Sequence, residues 1–248
     1  MKINCDIGER GSDHPVDTAL MQHIDIANIA CGGHAGDNAS IRAFRTLADR
    51  FDVDVTAHLS YPDKQNFGRL TMNIQQEELL HSLDHQYALM ADVKTVKFHG
   101  ALYNDAASDA SLAKLLANWL QKNSINSIVT QFDSELALAC ENLGISVMAE
   151  AFAERRYALN PQNGKLSLVN RSKDYASIHE LDEAVQHSLK IMNDQKVTAF
   201  YETDGQVKQK EAVLMAQTIC IHSDSEISLT LATALQRAFG REKSGSKK

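Results

Sequence analysis

Short runs that lean apolar recur along the chain, each ending in a polar cluster and followed by a stretch with apolar residues at helical spacing. The runs predict strands at Lys2–Cys5, Ile24–Cys31, Asp52–Ala57, Val93–Phe98, Ser127–Thr130, Ser146–Ala151 and Thr218–Ile221. Between them, Ile41, Phe44, Leu47 and Ala48 mark one helical face, and Leu79, Leu80, Leu83, Tyr87 and Met90 another. Further faces are marked by Leu112, Leu115, Leu116 and Trp119, and by Ile227, Leu231, Ala234, Leu235 and Ala238. About seven strand–loop–helix units of this kind predict a parallel sheet with helices outside it. An open doubly wound sheet and a closed barrel both satisfy that alternation. Nearly every strand ends in His, Asp, Asn or Glu, whereas an open sheet concentrates function at one switch point, and this favours an α/β barrel with its site at the strand ends.

Composition narrows the class. The net charge of −7 speaks against a general nucleic-acid binder, which would carry a basic stripe, but still permits a locally positive pocket. The four cysteines, Cys5, Cys31, Cys140 and Cys220, form no CxxC pair, as expected of reduced thiols in a cytoplasmic protein. The N-terminus turns polar at once, and no stretch approaches the roughly 20 apolar residues that span a bilayer. No linker rich in Gly, Ser or Pro divides the chain, so residues 1–240 are expected to form a single catalytic domain and 241–248 a disordered charged tail.

The polar clusters carry the candidate chemistry. Asp6 follows the first strand and suits a general base, a metal ligand or a loop anchor. In Cys31-Gly32-Gly33-His34-Ala35-Gly36-Asp37, glycine amides ahead of a helix suit an anion; a tight loop with Asp37 capping the helix is an equal reading. His58 opens a third cluster, with Arg69 just beyond it. Lys97 and His99 alternate, so on a strand both point the same way, and at a barrel mouth such groups are costly without partners or function. Tyr103 and Asn104 follow. Arg155 suits recognition of a carboxylate or phosphate, or a surface ion pair. His81 and His85 have metal-pair spacing but lie off the apolar face and read as solvated. Cys31 beside His34 reads as a packing residue rather than a nucleophile. Neither standard nucleotide loop is present, nor a GxSxG elbow.

Taken together, NCDIGE at 4–9, ANIACGGHAGD at 27–37, AHLSYPD at 57–63, NFGR at 66–69, VKFHGALYN at 96–104, EAFAERRY at 150–157 and ICIHSD at 219–224 resemble the LamB/YcsF family, associated with the A-type subunit of 5-oxoprolinase. The resemblance implies a seven-stranded (β/α) barrel of the glycoside hydrolase/deacetylase type. It implies ATP-dependent opening of the 5-oxoproline lactam to L-glutamate, with Mg²⁺-bound ATP as co-substrate and separate B- and C-type subunits as partners. On it, Asp6, His34, His58, Lys97 and His99 are expected to be catalytic. Gly32, Gly33, Gly36, Arg69, Tyr103, Asn104 and Arg155 are expected to bind the co-substrate. Lys97, with Arg69 or Arg155, would neutralise phosphate, and Asp6, His34 and His99 are candidates for a metal. Two alternatives stay open: a metal-dependent amide or carbohydrate deacetylase, and a non-catalytic subunit that binds a small acid. The sequence departs from the family pattern at Gly33, Asn38, Leu59, Leu70, Phe98, Glu154 and Ser223, and its 163–171 segment is longer than usual. The polar core of each motif is kept; the rim is altered.

Overall fold

The computed structural model describes residues 1–203 and 205–240, so the tail expected at 241–248 lies outside the described residues. In chain order the elements are β1 (Lys2–Ile7), α1 (Pro15–Leu20), β2 (Ile26–Ala30), α2 (Asn38–Phe51), β3 (Asp54–Leu59), α3 (Gln76–Ala88), β4 (Thr95–Phe98), α4 (Gly100–Ser108), α5 (Ala110–Lys122), β5 (Ser127–Gln131), α6 (Glu135–Asn142), β6 (Ser146–Phe152), β7 (Tyr157–Leu159), β8 (Leu166–Leu168), α7 (Leu181–Asp194), β9 (Lys196–Thr203), β10 (Gln206–Val213), β11 (Thr218–Ile221) and α8 (Ser228–Ala238). Seven strands close into a parallel barrel in the order β1-β11-β6-β5-β4-β3-β2, and each of the seven predicted runs supplies one of them.

Period-two alternation sorts the side chains of β1. Ile3, Cys5 and Ile7 enter the hydrophobic core with helix residues such as Leu20, Phe44 and Leu235, while Asn4 and Asp6 turn to the barrel interior and bond to Asn28, Thr218 and Lys97 across it. Local chemistry starts several helices. Asp37 accepts from the amides of Ala39 and Ser40, each at 2.8 Å, and the Ser40 hydroxyl accepts from the Asp37 amide at 2.9 Å, a capping box for α2. The Asp109 and Ser134 side chains cap α5 and α6 by accepting from first-turn amides, without the reciprocal bond. Among the described residues no helix is long and apolar enough to cross a membrane.

The chain between β6 and β11 adds what the hydrophobic pattern did not predict: a second, four-stranded sheet in the order β10-β9-β7-β8, with α7 between β8 and β9. Its β8 end and the loop after it lean over the barrel mouth, where Leu166, Ser167, Val169, Asn170 and Arg171 line a cavity above the strand ends.

Candidate functional site

The barrel interior holds a buried ionic network directly beneath the mouth. Lys97, on β4, is 2% exposed. Its ammonium lies 2.9 Å from Asp6 Oδ1 on β1 and 2.8 Å from Glu150 Oε1 on β6, and donates to Asn4 Oδ1 at 3.3 Å. Asn28 on β2 donates to Asp6 Oδ1 and to Asn4 Oδ1. Burial alone would lower the Lys97 pKa, but Asp6, Cys220 and Glu150 outweigh it and hold the ammonium charged. Burial likewise would raise the Asp6 pKa, but His58 and Lys97 beside it reverse this and hold the carboxylate well below its usual range. The inward-pointing lysine is therefore present as expected, but two carboxylates already match its charge. It is a poor candidate for neutralising phosphate.

Above this network lies a histidine cluster. His58 ends β3 and His99 follows β4, so neighbouring strands bring them together: His58 Nε2 is 3.0 Å from His99 Nδ1. His34, from the loop after β2, stacks on His99 with ring centroids 3.7 Å apart and reaches Glu9 Oε1 with its Nε2 at 2.8 Å. The same Glu9 oxygen lies 3.3 Å from His99 Nδ1 and 3.7 Å from His58 Nε2, while Asp6 Oδ2 lies 3.4 Å from His58 Nε2. Burial holds the pKa values of His34 and His99 well below the ordinary histidine value, aided by His58 and Arg69 for the first and by His34 and His58 for the second. Burial, aided by Asp6 and opposed by His99 and His58, raises that of Glu9. Among the described residues, Glu9, His34, His58 and His99 each offer one ligating atom, all within 4.8 Å of one another. These four could hold a metal. Asp6, a candidate from the sequence, belongs instead to the lysine network at the cluster's edge.

The mouth is a cavity of about 760 Å³, within the ordinary range of small-molecule sites. Asp6, Glu9 and His99 reach it from below, and Tyr103 and Asn104 from α4. Its wall carries Arg69, Arg155 and Arg171. Arg155 is 5% exposed, and its guanidinium donates to the main-chain carbonyls of Val169 at 2.8 Å and Ala176 at 3.4 Å, which carry no net charge. Burial, together with the charges of Arg171 and Arg69, lowers its pKa to about 10. A wall of three mutually repelling guanidiniums is suited to an anion. Arg69 also pairs with Asp224 at 3.0 Å at the rim.

The structure separates the sequence candidates. Asp6, Lys97, His99, Arg69, Tyr103, Asn104 and Arg155 line the cavity, and His34 and His58 stand behind it in the cluster. The glycines of the 32–36 loop do not line the cavity. A Cβ on Gly36, at φ +83°, would meet the carbonyl oxygen of Ala30 at 2.2 Å, and one on Gly33 would meet the Gln86 amide at 2.3 Å and Ser60 at 2.4 Å. Their role is to let the loop pack on the barrel top, and the capping reading of Asp37 is the one realised. At Gly33, Gln86 fills the space, bonding both the amide and the carbonyl of Ser60. Cys31 is buried, with burial pushing its pKa up to about 12, as suits a packing residue. His81 and His85 are exposed on α3. Sequence reasoning passed over Glu9, Glu150 and Arg171.

The LamB/YcsF family model matches residues 1–247. This chain belongs to the LamB/YcsF family. The LamB/YcsF relatives include the A-type subunit of 5-oxoprolinase from Alkaliphilus metalliredigens (strain QYMF), 35% identical over 97% of this chain and 93% of the relative. Those bearing the same name from Neisseria meningitidis serogroup A / serotype 4A (strain DSM 15465 / Z2491) and Staphylococcus aureus (strain MRSA252) are 35% and 31% identical, covering 95% and 97% of this chain and 94% and 96% of the relatives. The same LamB/YcsF fold is seen in the crystal structure of the lactam utilization protein from Thermus thermophilus, with a TM-score of 0.80 and 28% identity over 96% of this chain and 97% of that one.

Proposed function

We propose that this chain is the A-type subunit of an ATP-dependent 5-oxoprolinase, which opens the lactam of 5-oxo-L-proline to L-glutamate together with B- and C-type subunits. The observation that carries the reading is one cavity with two kinds of wall. Carboxylate and imidazole groups (Asp6, Glu9, His99) form its floor, and the guanidiniums of Arg69, Arg155 and Arg171 form its side. Relatives that share nearly the full length bear the name of that enzyme's A-type component.

A lactam carbonyl resists attack by water because the nitrogen lone pair is delocalised into it. Transfer of the ATP γ-phosphoryl group to the lactam oxygen, with ADP leaving, makes the ring carbon electrophilic. Water then adds to that carbon and the C–N bond breaks as the ring nitrogen takes up a proton, leaving an acyl phosphate that a second water hydrolyses to the carboxylate and free phosphate. The arginine wall matches the charge of a triphosphate and of the substrate carboxylate. His99 Nε2 donates to the Phe67 carbonyl at 3.0 Å, so its Nδ1 presents a lone pair to the floor of the cavity. Asp6 stays ionised and, with Glu150, keeps Lys97 in place.

A second reading, a metal-dependent amide hydrolase that needs no ATP, is favoured by the Glu9–histidine cluster. The deciding assay combines the chain with 5-oxoproline, ATP and Mg²⁺, with and without the B- and C-type subunits from the same source, and measures glutamate. Glutamate that requires both ATP and the assembled subunits supports the first reading. Glutamate without ATP supports the second, and none from a demonstrated complex rejects 5-oxoproline as substrate.

A further inference from the structure

We propose that Glu9, His34, His58 and His99 bind one divalent transition-metal ion of the zinc type at the floor of the cavity. The positions of the ring hydrogens carry the inference. A carbonyl oxygen only accepts, so the contact of His58 Nδ1 with the Lys97 carbonyl at 3.2 Å places a hydrogen on Nδ1. The contact of His99 Nε2 with the Phe67 carbonyl at 3.0 Å places one on Nε2. A neutral imidazole carries a single N–H, so the two nitrogens that face each other at 3.0 Å, His58 Nε2 and His99 Nδ1, both present lone pairs. Glu9 Oε1 brings a third acceptor to the same point, 3.3 Å from His99 Nδ1 and 3.7 Å from His58 Nε2. Acceptors converge in this way around a bound cation.

The spacing and donor set fit an ion. Bonds of about 2.0–2.1 Å in a tetrahedral site place the ligating atoms about 3.3–3.4 Å apart. Four of the six separations, 2.8 Å for His34 to Glu9, 3.0 Å for His58 to His99, and 3.3 and 3.7 Å from Glu9 to His99 and His58, bracket that value, and all six lie within 4.8 Å. Imidazoles with one carboxylate suit zinc and its first-row neighbours rather than Mg²⁺, which prefers oxygen. The main-chain carbonyls of Lys97 and Phe67 orient two of the rings, as outer partners do for metal-bound histidines.

The backbone beside the cluster is also shaped to it. Phe67 adopts φ +55°, a conformation that bulky residues rarely hold, and its ring meets those of His34 and His99 at centroid distances of 5.3 and 5.5 Å. Gly68 follows at φ +62°, where a Cβ would sit 3.0 Å from His34 Cβ and 3.2 Å from His99 Cδ2. Glu9 and His99 line the cavity, so the ion would stand within reach of a carbonyl bound there. That catalytic role rests on the function proposed above; metal binding does not.

The test uses the full chain, dialysed against a chelator and titrated with Co²⁺ and then Zn²⁺. The exposed His81–His85 pair, with Nε2 atoms 2.9 Å apart, is a competing surface site, so the titration is run in a His85→Ala background. One equivalent of Co²⁺ with visible ligand-field bands, displaced by Zn²⁺ and weakened about tenfold or more by Glu9→Gln or His99→Gln, is the expected result. No bound ion in the His85→Ala protein, or unchanged affinity in folded Glu9→Gln and His99→Gln variants, overturns the site. Should those variants fail to fold, ¹⁵N spectra of the His85→Ala rings decide. Shifts of His58 Nε2 and His99 Nδ1 on adding Zn²⁺ support it, and unmoved ring signals overturn it. Metal binding with no glutamate from the assembled complex removes the 5-oxoprolinase reading and leaves the site standing. Full turnover by metal-free complex removes the ion's catalytic role alone.

Discussion

Lys97 and Asp6 meet at 2.9 Å inside the barrel, with both side chains nearly out of solvent. Since Glu150 closes on the same ammonium at 2.8 Å, the lysine is the counter-charge for two buried carboxylates. Removing one partner of a buried ion pair costs far more than the pair's net contribution, because the remaining charge is stranded. Lys97→Met should therefore destabilise the fold by about 3–5 kcal/mol, read as a lower urea midpoint. A Lys97→Met protein of native stability that had lost only ATP affinity would restore the phosphate role that the geometry takes from this residue.

The arginines make the opposite prediction. Arg69 and Arg171 lie at the accessible rim of the cavity. Replacing either by Gln should leave the melting temperature within a few degrees, since exposed charge pairs contribute about 0–1 kcal/mol. Charge-assisted hydrogen bonds to anions contribute about 1.5–3 kcal/mol, so the KM for ATP or for the acid substrate should rise about tenfold or more. Steady-state kinetics on the assembled enzyme check this. An unchanged KM for both substrates in the double variant would take the arginine wall out of the mechanism.

How much of this was legible in the sequence depends on which contacts each part needed. The seven barrel strands could be read because each is a local event, an apolar run stopped by a polar cluster and followed by a helical face. The second sheet could not. Strands β7 and β8 are three residues long, and β10 is largely exposed and carries Gln206, Lys208, Gln209 and Lys210, so hydrophobicity marks none of them. A signal for the β9–β10 hairpin did exist, since Thr203 pairs with Gln206 and an Asp-Gly dipeptide stands between them in the sequence. Lys97 and His99 were found because alternation on a strand is local. Glu9 lies beyond the end of β1, after Gly8 at φ +77°, where alternation no longer says which way a side chain points. Only closure of the barrel sets it against His34, His58 and His99.

The glycines of the 32–36 loop give a prediction that separates packing from ligand binding. At Gly36 an alanine would combine an unfavourable φ with a Cβ 2.2 Å from a main-chain oxygen, which no side-chain rotation relieves. At Gly144, also at positive φ, no heavy atom lies within 4 Å of the same position. Gly144→Ala should cost about 1 kcal/mol from the backbone conformation alone, and Gly36→Ala distinctly more, of order 3 kcal/mol or loss of soluble protein. Equal melting temperatures for the two variants would show that the loop yields easily.

Acid stability should depend on His187, on α7. Its Nε2 reaches the Phe152 carbonyl at 3.2 Å and its ring stacks near Tyr157, and burial lowers its pKa to about 4 despite that hydrogen bond. Because the folded pKa lies below the unfolded value of about 6.5, the unfolded chain binds the proton first as pH falls. The stability associated with the neutral ring is thus complete above about pH 6.5 and is lost progressively towards pH 4. His34 and His99, whose pKa values are also lowered, act in the same direction. His187→Gln keeps a side chain able to donate to the carbonyl but cannot titrate. It should remove on the order of 2 kcal/mol of the stability lost between pH 7 and pH 4. Urea unfolding at both pH values measures the difference directly. The same loss in wild type and His187→Gln would assign the acid sensitivity to the buried histidines of the site instead.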